Sequence, residues 1–197
     1  MEKYYLIDYE NVHGNGLNGC DQLTNSDHVY LFYTANVPNV PWDIEDSHGK
    51  ADINTVKVSG GKQSLDMHLV SYLGYLIGHN KDRCVYIIIS KDKDYDKIIN
   101  FWKEKDVSIF RQASIAVNLC FVEVRRAIIQ NWKKDSNIEE SANEIAAMII
   151  GYCDEKDILK KVYDELDDED DGYKDAEEIY EIVKPIIKKF LIKQKKA

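Results

Sequence analysis

Residues 84–89 read CVYIII, a run of β-branched and aromatic side chains with no charge on either face. A strand that is apolar on both sides must be covered on both sides, which places it inside a helix-covered sheet rather than in a one-sided antiparallel one. The flanking sequence agrees. Tyr4–Ile7 (YYLI) is a second buried-strand candidate, Val29–Tyr33 a third, Asn54–Val58 a weaker fourth and Val107–Phe110 a short last strand. Between them Leu69, Val70, Leu73, Leu76 and Ile77 recur at helical spacing, as do Ile98, Ile99 and Trp102. Strands alternating with amphipathic helices predict a Rossmann-like α/β domain of three layers around a mostly parallel sheet.

A longer helix over Ala116–Lys133 is expected to end that domain, giving a boundary after Lys134. Residues 137–153, 155–166 and 173–192 read as three further helices, the last interrupted or kinked at Pro185. The 135–197 extension is short and charged. It is expected to pack on the sheet domain or to offer a surface to a second copy or a protein partner, rather than to hold a large core alone.

The 197 residues suit one domain with a small appendage. A 44% hydrophobic content argues against wholesale disorder. No apolar run approaches the ~20 residues of a membrane span, and the opening MEKYYLIDYE lacks the features of a signal peptide. Cys20, Cys84, Cys120 and Cys153 form no CxxC pair, which argues against a zinc site or disulfide framework and for buried thiols in a cytoplasmic protein. Taken as a whole, the net charge of -9 opposes a phosphate-bearing partner. It is unevenly spread: residues 1–134 hold 16 Lys+Arg against 17 Asp+Glu, and residues 135–197 hold 10 against 18. The acidity thus belongs to the extension, above all to Asp164–Asp171 (DELDDEDD), which reads as a solvated turn or helix end.

Within the α/β part the acids fall at strand ends. Asp8 follows the first strand in IDYEN, where no helix start is evident. Asp92, Asp94 and Asp96 follow CVYIII in SKDKDYD, and Asp66 stands at the start of the helix before that strand, in SLDMHLV. Open α/β sheets bind ligands beyond the carboxyl ends of their strands. If the two strands are neighbours, about 5 Å apart, Asp8 and Asp92 meet at one edge, with Asp66 and Asp94 completing an acidic cup. Crowded carboxylates repel one another and are relieved by a hard cation such as Mg²⁺ or Mn²⁺. Carboxylates without a Cys/His ligand set suit phosphodiester cleavage, in which the ions activate water and stabilise the leaving oxygen. Asp66 and Asp92 also suit plain helix-start roles. Asn11 and Ser90 are candidates to orient a ligand carboxylate or a phosphate oxygen, and Lys62, Lys91 and Lys93 are candidate phosphate contacts.

These segments, in this order, resemble the PIN-like nucleases, in particular their NYN-type branch. The matching features are a strand ending in Asp8 with Asn11 three residues on, Asp66 at a helix start after Gly60-Gly61-Lys62, and the turn Ser90, Asp92, Asp94, Tyr95. The resemblance covers roughly residues 3–130. It implies a PIN-type fold and a metal-dependent nuclease acting on RNA, with single-stranded DNA as the alternative. It also implies Asp8, Asp66, Asp92 and Asp94 as catalytic and metal-holding acids, with Asp96 competing with Asp94 for the fourth place. A toxin or defence role is implied by resemblance alone. Lys91 stands where relatives carry a small residue. That departure and the unmatched extension motivate an alternative: an inactive module binding nucleic acid or protein. A metal-dependent phosphatase is a third reading.

Other motifs fail. Gly60–Ser64 lacks the spacing of a nucleotide-binding phosphate loop. The five histidines show no ligand spacing. Tyr9, beside the acids, is a candidate to stack on a base.

Overall fold

The computed structural model describes residues 2–35, 37, 48–59, 64–80, 84–132, 136–153, 155–168 and 172–194. Five strands, β1 (Lys3–Asp8), β2 (Asp27–Thr34), β3 (Asp52–Val58), β4 (Val85–Ile89) and β5 (Ser108–Gln112), form one sheet in the order β3-β2-β1-β4-β5. Every pairing is parallel. The expected strands are all present, and the all-parallel sheet confirms the α/β reading.

The apolar run explains its own position. Tyr86, Ile87, Ile88 and Ile89 of β4 are all buried, two facing each way. On one face Leu6, Phe32, Ile88 and Ile109 meet Leu65, Leu69, Leu73 and Leu76 of α2 (Ser64–His79) and Ile99 of α3 (Tyr95–Lys103). Those α2 positions follow the helical period, so their burial needs no further device. A short helix α1 (Tyr9–Gly16) follows β1 directly. It lies close to the strand end: a Cβ on Gly16 would stand 3.3 Å from Ile89 and closer still to Val12.

The chain divides into two compact units, Met1–Ile115 and Ala116–Ala197. This division falls at the first residue of the long helix α4 (Ile115–Asn131). The reason is in its apolar face: Val117, Cys120, Val124 and Ile128 join a core shared with α5 (Ile138–Gly151), α6 (Ile158–Leu166) and α7 (Ala176–Gln194). With α4 included, the helical part has a core of its own. Pro185 lies inside the continuous helix α7. Asp164, Glu165, Asp167 and Asp168 are exposed around buried Leu166, a solvated helix end, while residues 169–171 lie outside the described residues. Among the described residues no helix is long and apolar enough to cross a membrane.

Candidate active site

Strand order places β1 and β4 side by side although β2 and β3 intervene in sequence, which makes their carboxyl ends the switch point of the sheet. Ile7 pairs with Ile89, so Asp8 and Ser90 leave the sheet as neighbours. Asp8 ends β1 and caps α1, accepting the Asn11 N–H at 3.3 Å. A helix therefore does begin at Asp8. Its signal was weak because eight residues containing two glycines leave little periodicity to read. Glu10, in the first turn of α1, accepts a hydrogen bond from the Thr34 hydroxyl at the end of β2.

Asp8 is only 4% exposed. Burial pushes its carboxyl up to about 6; hydrogen bonds from Ser90 and Asn11 oppose the rise, and the Asp66 charge adds to it. Ser90 Oγ donates to Asp8 Oδ2 at 3.1 Å and accepts the Asp92 N–H at 3.1 Å. Since Ser90 is fully buried, it orients a carboxylate and does not reach a phosphate. Asn11 has a similar task, because its Oδ1 accepts the Lys91 N–H at 2.7 Å and ties the two strand-end turns together.

The turn after β4 is built by its own acids. Asp92 Oδ1 accepts the Asp94 N–H at 2.8 Å. Asp96 takes Arg111 of β5 on both oxygens, at 2.7 and 3.1 Å, and this pairing holds its carboxyl below the usual range. Arg111 also donates to the Ser90 carbonyl at 3.2 Å. Asp96 is thus committed to Arg111, and Arg111 to bracing the turn.

Asp66, Asp92 and Asp94 line one open cleft of about 370 Å³, together with apolar Met67, Val70 and Ile98. Asp94 is well exposed and meets Lys97 at 3.0 Å. Asp8 lies behind this cleft. Tyr95, itself lining the cleft and buried, donates its hydroxyl to Asp66 Oδ1 at 2.8 Å and stands 3.4 Å from Asp8 Oδ2. Burial and the two adjacent carboxylates raise the Tyr95 pKa, so the hydroxyl keeps its proton and remains a donor. This bridge was missed in the sequence, where Tyr95 is simply the aromatic residue closing the turn.

Three of the four expected acids are therefore brought to one cleft, with the fourth behind a single hydroxyl. Among the described residues no three acids, histidines or cysteines stand close enough to one another to form a ready metal-binding group. The donor chemistry nevertheless fits a hard divalent cation, since the cleft offers carboxylates and no thiolate or imidazole. Lys91 and Lys93 are exposed on the turn, and Lys62 lies outside the described residues. Tyr9 is buried, so it has no free face for a base.

An α/β domain with a carboxylate cleft at its switch point belongs to a recognisable class. A family model described as PIN domain matches residues 2–112, more than half of the chain and the whole of the sheet. The chain belongs to the PIN-domain family, whose members are generally metal-dependent nucleases. No curated protein and no solved structure matches it.

Proposed function

We propose that the chain is a metal-dependent endoribonuclease of the NYN-type branch, cleaving phosphodiester bonds of RNA at the Asp66–Asp92–Asp94 cleft. The observation that carries this reading is the convergence of those acids, from α2 and from the turn after β4, beside buried Asp8 at the switch point. Asp8, Asp66, Asp92 and Asp94 are the proposed holders of Mg²⁺ or Mn²⁺; Asp94 takes precedence over Asp96, whose oxygens are both engaged by Arg111. A divalent cation in such a site lowers the pKa of the attacking water and neutralises charge on the leaving oxygen. The protein's own part is to orient the acids. Ser90 and Asn11 fix Asp8, the Asx-type turn fixes Asp92, and exposed Lys91 and Lys93 offer positive charge to the phosphates beside the cleft.

Incubation with single-stranded RNA and Mn²⁺, read by product length, tests this. Wild-type protein is expected to cut internally, and Asp8→Asn and Asp92→Asn to lose at least about a hundredfold in rate, as expected when the groups organising the reaction are removed. An inert wild type across varied RNA, or variants that keep its rate, would overturn the reading. The absence of a ready three-ligand group among the described residues favours a second reading, a non-enzymatic module. A melting temperature unmoved by millimolar Mn²⁺ would select it.

A further inference from the structure

Asp66 and Asp8 are supplied by different parts of the fold, the first turn of α2 and the end of β1. Tyr95 Oη lies within hydrogen-bond distance of both, at 2.8 Å from Asp66 and 3.4 Å from Asp8. A hydroxyl has one proton. The shorter contact takes it, and Asp8 Oδ2 is served instead by Ser90 at 3.1 Å. The bridge is therefore unequal: Asp8 is fixed by α1 and Ser90 without Tyr95, whereas the hydroxyl bond to the Asp66 carboxylate comes from Tyr95.

The tyrosine is well suited to that task. Its ring is 3% exposed and belongs to the core that joins the sheet to α2 and α3, among Leu65, Leu69 and Ile99. Core packing thus sets the position of the hydroxyl. Asp66 is only half-buried, and among the described residues this hydroxyl is the side-chain partner of its carboxylate.

We propose that Tyr95 is the positioning residue of the acid set: its hydroxyl bond to Asp66 Oδ1 turns that carboxylate toward Asp8, so that the two present themselves to one divalent cation. This rests on the metal reading above. The hydroxyl acts through Asp66 and touches no reacting atom. Outer partners of this kind orient a ligand and typically contribute 10–100-fold to metal affinity. Phenylalanine would fill the same core volume and remove that hydroxyl bond.

Mn²⁺ titration of the full chain, freed of metal by chelation and read by melting temperature, tests the assignment without any activity measurement. Y95F is expected to melt near the wild type without metal, yet to need about tenfold more Mn²⁺ for half of the stabilisation. A Y95F midpoint equal to the wild type's, or lower because the hydroxyl competes with the ion, overturns the proposal and leaves the metal reading intact. A lower metal-free melting temperature with an unchanged midpoint overturns it too, since that is a packing role alone. A wild type that does not respond to millimolar Mn²⁺ overturns both. Should Y95F not melt cooperatively, D66E moves the carboxylate off the hydroxyl at a half-buried helix start while keeping its charge. It is expected to show the same tenfold weakening, and an unchanged midpoint there overturns the proposal.

Discussion

Arg111 on β5 grips both carboxylate oxygens of Asp96, at 2.7 and 3.1 Å, and its remaining nitrogen reaches the Ser90 carbonyl at 3.2 Å. One side chain therefore braces both ends of the turn that carries Asp92 and Asp94. Because Asp96 is about half exposed, charge attraction alone contributes little here, and the directional hydrogen bonds carry the contact. Arg111→Ala is expected to cost about 1–2 kcal/mol, chiefly through the lost fork and carbonyl bond. Arg111→Lys should recover less than half, since an ammonium cannot make the planar two-point contact. Urea unfolding midpoints check both.

Asp8 gives the stability of the metal-free protein a specific dependence on pH. Its pKa rises from an ordinary 3.8 to about 6 on folding. The folded chain then holds this proton more tightly than the unfolded one, so the contribution is fully present below about pH 4 and is lost as pH rises through about 6. The loss is at most about 3 kcal/mol. Asp8→Asn, which carries no charge to bury, is expected to melt higher than wild type at about pH 8 in chelator and to converge with it near about pH 4. Melting curves across that range decide it.

Ser90→Ala removes a donor from Asp8 and the acceptor of the part-buried Asp92 N–H. Leaving that N–H unpaired should cost about 1–3 kcal/mol. The Asp8 carboxyl, deprived of a bond that favours its charged form, should titrate above its wild-type midpoint of about 6. Carboxyl-carbon NMR titration reads the shift, and its absence would show that Ser90 does not stabilise the Asp8 charge.

Ile149 of α5 is 1% exposed within the helical core. Ile149→Ala is expected to cost about 2–5 kcal/mol through lost burial and the cavity left behind. The helical ellipticity lost on urea titration is the measurement.

Much of this architecture was legible because it depends on local pattern. CVYIII announced a strand buried on both faces, and it announced where its carboxyl end would lie. The position of Asp8 followed once two such strands were taken as neighbours. The Tyr95 bridge was not legible, because it joins residues 29 apart through the seating of α3 against α2, which no spacing encodes. The same limit applies to the Arg111–Asp96 pair, which joins residues 15 apart and depends on where β5 lies. The packing of α4 with α5–α7 is likewise a matter of tertiary contact, which the spacing within one helix does not encode.

The neighbouring placement of β1 and β4 also bears on when the site comes into being. Asp8 and the hydroxyl that orients it are 82 residues apart in sequence, and they meet only through a parallel strand pairing. Such distant pairings are slow to form because the intervening chain must first be closed into a loop. A growing chain that has not yet produced Ser90 carries Asp8 and Asp66 without the turn that completes the cleft. Assembly of the acid set is thereby coupled to completion of the sheet, and an unfinished chain has no partial version of it.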